Sequence, residues 1–174
     1  EGIIDWQPVE HPQYGEIEIG GVKKNWTRTA PSFLIEDMCH RNMAFTLFHA
    51  WHLPKIAVDS VMIEKRSASL VQVDAVIRND RMLPTRSHHE VQHQFTRPDW
   101  IMLEGAEVIA GFMVTDPLQN LATEQKYHPQ RINVETIPGM GTVQVRWLVR
   151  PTRRATMVVE SHRGGRLEQT IELP

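Results

Sequence analysis

Hydrophobic and polar positions follow two rhythms along this chain, and the change falls near Pro54-Lys55. Before it, one long segment has helical spacing. Leu34, Ile35, Met38, Phe45 and Phe48 or His49 mark one apolar stripe, and Phe33, Ala44, Leu47 and Trp51 mark another. Thr29 or Ser32 can cap the start and Pro31 suits the first turn. Pro54 stops the helix, which is predicted from about Ser32 to about His52. An apolar surface this wide suits a helix covered on two sides. Upstream, residues 3–19 read as a loop and then a short strand. In Glu16-Ile17-Glu18-Ile19 the period is two, so both glutamates share one face and both isoleucines the other. Gly20-Gly21 ends that strand, and Lys23 to Ala30 reads as polar loop.

After Pro54 the period becomes two. Predicted strands are 58–65, 69–78, 100–104, 107–115, 131–137, 142–149, 156–161 and 167–173. The clearest alternation is Leu70-Val71-Gln72-Val73-Asp74-Ala75-Val76-Ile77. Asn79-Asp80, Pro84, Asp116-Pro117, Pro138-Gly139 and Gly164-Gly165 punctuate the strands. About eight short strands over roughly 120 residues predict a mainly β fold, an antiparallel β-sandwich of about 7–8 strands preceded by a strand and one long helix. The expected organisation is 1–54 and 55–174.

Composition narrows this picture only slightly. The 174 residues suffice for one domain of ordinary size, and 41% hydrophobic with 23% charged residues is normal for a globular chain. Nineteen basic residues are scattered among 21 acidic ones, for a formal net charge of -2, which offers no nucleic-acid surface. No apolar run reaches the about 18 residues of a membrane helix. No basic start with an apolar core stands at the N-terminus. Cys39 is the single cysteine, so no internal disulfide forms, and mid-helix it is expected to be a buried thiol.

Candidate chemistry lies in two places. Glu16 and Glu18 share a strand face, where they are either ordinary solvent-facing residues or a site. His89-Glu90-Val91-Gln92-His93 matches His-Glu-x-x-His, in which histidines at i and i+4 of a helix grip zinc and the glutamate is the base. Pro84, Thr85 and Ser87 can start a single helical turn there. Such a site needs a third ligand downstream, and only His128 and His162 follow. The ordinary alternative is a solvated, histidine-rich connector on which His88, His89 and His93 bind zinc or nickel adventitiously. Trp100 and Trp147 are expected in the core. Phe45, Phe48 and Trp51 read as packing, and Arg150, Arg153 and Arg154 as a solvated turn.

The N-terminal stretch carries a resemblance. Gly2, Asp5 and Trp6, then Glu16, Glu18 and Gly20-Gly21, are similar to the last part of a zinc carboxypeptidase catalytic domain of the carboxypeptidase A type, the funnelins. Bacterial members look closer still, with a run like His11-Pro12-Gln13-Tyr14-Gly15-Glu16-Ile17-Glu18-Ile19-Gly20-Gly21 followed by a β-sandwich extension. Their extensions contain a segment like Asn79 to Thr85, with glycine where Arg81 stands here, a strand like Trp147-Leu148-Val149 and a Gly-Gly turn.

The resemblance implies that zinc activates a water for peptide-bond hydrolysis and that a strand glutamate takes the water's proton. By position that catalytic residue is Glu18, with Glu16 the runner-up. The family's zinc ligands, a His-x-x-Glu pair and a later His, would lie upstream, and none of the nine histidines is followed by Glu three positions on. Zinc is therefore expected in the parent enzyme and no cofactor in this chain, which alone is expected to be inactive. The implied partners are an upstream catalytic domain and, in the parent, a peptide substrate, in a periplasmic or secreted setting. Residues 1–54 would be the last strand and helix of that domain, and 55–174 a β-sandwich accessory domain that braces it. Without those partners the apolar segment is expected to fold back or to self-associate. Two other readings stand beside it: a β-sandwich binding or adhesion module, and a zincin-type metalloenzyme built on His89, Glu90 and His93.

Overall fold

The computed structural model describes residues 2–174. It divides into two compact units, Glu1–Ala50 and Trp51–Pro174.

The first unit opens with an antiparallel hairpin of β1 (Ile3–His11) and β2 (Gly15–Val22). The predicted strand is β2. The stretch expected to be loop is its partner β1. Polar residues and Pro8 hide β1 from a period-two reading, yet a two-stranded sheet tolerates proline where the strand has a free edge. The pairing slips between Ile4 and Gln7, so that Asp5 and Trp6 both lie opposite Gly20. This is a β-bulge. A short helix, α1 (Lys24–Arg28), replaces the expected polar loop. It sets the Trp26 ring against Gly2, which is buried. Helix α2 (Ser32–Trp51) follows at the predicted position.

Along α2 no residue is buried. Both predicted apolar stripes are open: Phe33 is 72% exposed, Phe45 66% and Leu47 62%. Cys39 is also exposed, which corrects the expectation of a buried thiol. The spacing identified a helix with two apolar stripes, but periodicity carries no information on what covers them. Among the described residues no helix is long and apolar enough to cross a membrane.

The second unit is mainly β and antiparallel. Its strands are β3 (Ile56–Ser67), β4 (Leu70–Asn79), β5 (Asp99–Glu104), β6 (Val108–Asp116), β7 (Leu121–Glu124), β8 (Arg131–Val134), β9 (Thr142–Val149), β10 (Arg154–Ser161) and β11 (Gly165–Glu172), with one helical turn, α3 (His88–His93). They form a five-stranded sheet in the order β3-β4-β9-β6-β7 and a four-stranded sheet in the order β11-β10-β5-β8. The one strand not predicted is β7, four exposed residues at a sheet edge.

Both sheets contribute to one hydrophobic cluster. Val71, Val73, Ala75 and Ile77 of β4 face it, as do Val145, Trp147 and Val149 of β9. From the other sheet come Ile101 and Leu103, Ile132 and Val134, and Ala155, Met157 and Val159. Trp147 lies between Val73 on one neighbour and Gly111 on the other, so its large ring meets small partners. Trp100 is different. It is half-buried and its indole is stacked between the guanidinium groups of Arg97 and Arg131, at 4.4 and 4.3 Å. It alternates with Ile101, which faces the cluster, so the expectation of Trp100 in the core is corrected.

Candidate functional site

The residues singled out at the N-terminus come together, and packing explains most of them. Trp6 occupies the bulge and lies across the facing strand. A Cβ on Gly20 would stand 2.6 Å from the Trp6 Cα and 2.8 Å from its ring, so only glycine lets the strands approach. Gly21 has φ +107, a conformation that glycine adopts freely. Gly2 accommodates the Trp26 ring, where a Cβ would stand 2.4 Å from the nearest ring carbon. Trp6 with Gly20-Gly21 is therefore one packing unit, which sets the register of β2, and Gly2 with Trp26 is a second.

That register decides where the glutamates stand. Glu18 lies directly opposite Pro8 and Glu16 directly opposite Glu10, so all three carboxylates share one face. Ile17, opposite Val9, and Ile19, opposite Gln7, take the other. Glu16 and Glu18 are both exposed. Among the described residues neither carboxylate enters a hydrogen bond or ion pair, so both are chemically free. The like-charged Glu10–Glu16 pair makes the tip of the hairpin acidic and weakens the ladder slightly. At the turn, His11 Nδ1 accepts from the Gln13 backbone N–H at 3.1 Å, and its ring touches Tyr14 at 4.9 Å between centroids.

The second place is α3. Ser87 is its N-cap, and the sequence Ser87–Glu90 closes a capping box. The Ser87 hydroxyl accepts from the Glu90 N–H at 3.3 Å, and one Glu90 oxygen accepts from the Ser87 N–H at 2.8 Å and its hydroxyl at 2.7 Å. The other Glu90 oxygen receives Arg163 Nη2 at 2.7 Å. These donors, first the Ser87 backbone and then its hydroxyl, hold the Glu90 carboxyl below its usual value, against burial and aided by Arg163 and His162. A carboxylate so fully bonded is a poor proton acceptor. His89 and His93 do share a face, with ring centroids 4.4 Å apart, and both lie against Phe95. Among the described residues no group of three His, Cys, Asp or Glu side chains is placed to hold a metal ion. With Glu90 committed to the Ser87 cap and to Arg163, the motif at α3 lacks the free carboxylate that zinc chemistry of this pattern uses, and no step through zinc follows from it.

The segment from Asn79 to Thr85 is held by two buried polar residues at its ends. Asn79 is 2% exposed and its amide organises the loop: Oδ1 accepts from Lys55 N and Arg81 N, each at 3.1 Å, and Nδ2 donates to Leu83 O at 2.8 Å. Thr85 is fully buried, and its hydroxyl accepts from Ile137 N at 2.8 Å. Arg81, where the resemblance has glycine, places its guanidinium 4.0 Å from the centroid of the Trp51 ring.

Arg86 and Asp99 are among the buried polar residues that escaped the sequence reading. Arg86 is 5% exposed and Asp99 fully buried. One lies in a loop and the other opens a strand, so no periodic signal marks them. Asp99 Oδ1 accepts from His162 N at 3.2 Å and ties β5 to the β10–β11 turn.

A search of curated proteins finds no match to the chain. A protein-family model described as "Domain of unknown function (DUF8731)" matches residues 55–172, more than half of the chain. The chain belongs to this family.

Proposed function

We propose that this chain is the C-terminal region of a zinc metallocarboxypeptidase of the carboxypeptidase A type, with Glu18 as the general base. The observation that carries the reading is the state of the first unit. Among the described residues before Trp51 only Gly2 is buried, while Ile3, Trp6, Phe33, Phe45, Leu47 and Phe48 are exposed. Ordering a residue's backbone costs roughly 1–2 kcal/mol, which burial normally offsets. A hairpin and helix with so little buried need further chain to complete a core. An upstream catalytic domain supplies that surface in this reading, and the packing around Trp6, Gly20 and Gly21 holds Glu18 with its carboxylate free.

The second unit, read here as an antiparallel β-sandwich, is an accessory domain. The support is the single cluster to which both sheets contribute. Its role is to brace the catalytic domain. In this reading the zinc ligands lie in the upstream domain, so the isolated chain is expected to be inactive; among the described residues no group of three His, Cys, Asp or Glu side chains is placed to hold a metal ion.

The test uses the intact parent protein and a peptide substrate with a free C-terminus. Glu18→Gln is expected to lower kcat by about 10²-fold or more, in the range of a lost general base. Glu16→Gln should change it only a few-fold. Wild-type turnover by Glu18→Gln would overturn the assignment. Deleting residues 55–174 from the parent should abolish soluble, active enzyme, and full activity after deletion would remove the bracing role.

One observation favours a second reading, a self-standing binding module: residues 51–174 have a core of their own. A panel of glycans and cell-wall fragments separates the two. A dissociation constant well below millimolar for one of them supports the module.

A further inference from the structure

We propose that the cleft between α3 and the β8 edge binds a carboxylate carried on a short apolar group. The cleft has a volume of ≈ 480 Å³, and Arg86, Arg97, Val91, Pro98, Asn133 and Glu135 are among its lining residues.

Its distinctive member is Arg86. The side chain is buried, and every bond it makes goes to a neutral acceptor. Nε donates to Thr96 Oγ1 at 3.0 Å, Nη1 to Glu135 O at 2.8 Å, and Nη2 to Thr96 O at 2.7 Å and Glu90 O at 3.4 Å. A guanidinium has five N–H groups, so one Nη1–H is left over. Among the described residues no carboxylate pairs with it. These neutral acceptors satisfy the other four donors but leave the positive charge uncompensated in a desolvated place. Charges there are normally paired. The cleft is the route by which an anion can approach that charge.

The rim supports the same ligand. Arg97 is held in place by an ion pair with Glu160 and by the face of Trp100, so little side-chain freedom is lost when a ligand binds. Asn133 adds a neutral side-chain donor. Val91 and Pro98 give the cleft two apolar walls, which suit a short carbon chain. Glu135 carries the opposite charge on the same lining, so a singly charged planar carboxylate fits better than a doubly charged phosphate. Arginine also matches the planar carboxylate geometry.

The experiment titrates the chain with butyrate by calorimetry at low ionic strength, beside butyramide and inorganic phosphate. Butyrate is expected to bind at one site with a dissociation constant on the order of 1 mM, and butyramide not to bind. Arg97→Gln should weaken butyrate by about five-fold or more, by removing the charge at the rim. Glu135→Gln should strengthen it, by removing the repulsion. Both changes are on exposed side chains, so folding is not at stake, and matching thermal midpoints confirm this. Failure to saturate by about 50 mM, or binding that ignores both variants, overturns the proposal. Phosphate binding as tight as butyrate overturns the carboxylate assignment.

Discussion

Single residues in this chain are constrained mostly by close approach. Gly139 faces the carbonyl of Met82, and a Cβ there would stand 1.8 Å from that oxygen. Backbone has to move to make room, so Gly139→Ala is expected to destabilise the second unit by about 2–4 kcal/mol, read by chemical denaturation. A stability within about 0.5 kcal/mol of wild type would show that the loop yields freely. Trp147 makes the opposite point, since it fills space. It is fully buried, and its indole N–H has no acceptor among the described residues. Trp147→Ala should cost about 3–5 kcal/mol through the cavity left behind. Trp147→Phe should cost clearly less, because it removes a smaller volume and deletes the unpaired donor. Equal losses for the two variants would contradict this account.

Among the elements, α3 shows how a motif can be real and have another use. The pattern from His89 to His93 is helical, as its spacing predicts, but Glu90 closes the cap. Ser87→Ala is expected to cost about 1 kcal/mol, since the first turn loses its side-chain acceptor. The Glu90 carboxyl lies below its ordinary value of 4.5 in the folded protein. Its contribution to stability is therefore full above that value and is lost as pH falls through the lower folded value. Urea denaturation of wild type and Glu90→Gln should differ at neutral pH, and the gap should close under acid. A gap that widens under acid would reverse the sign and refute the assignment. The hairpin shows the same economy of residues. Its glycines and Trp6 look catalytic in the sequence because they accompany Glu18, yet each has a steric reason to be where it is.

For the whole molecule, the unequal burial of the two units matters most. The second has a core built from both of its sheets; the first exposes Phe33, Phe45, Leu47, Phe48 and Trp26. Apolar surface on this scale drives association. The isolated chain is expected to sediment as oligomers, and Phe45→Glu with Leu47→Glu to shift it toward monomer in analytical ultracentrifugation. Both side chains are exposed, so a folding defect is not expected. A wild-type chain that is monomeric at every concentration would show that the surface is not adhesive.

Most of the elements were legible in sequence because their causes are local. Pro54 ends α2, alternation marks β4 and β9, and Gly164-Gly165 turns β10 into β11. What alternation cannot tell is which face is covered. Asp74 and Gln72 occupy outward positions of β4 and are nonetheless buried, because Arg146 reaches across from β9 to bond Asp74 at 2.6 Å. Trp100 is a large aromatic, yet strand parity turns it away from the core and two arginines enclose it. Strand β1 was missed because its partner, more than its own composition, makes it a strand. Arg86 was missed because a loop residue has no period. The sequence by itself determined where the chain turns and which positions share a side. The tertiary structure alone decided which side is dry, since that depends on residues many positions away arriving to cover it.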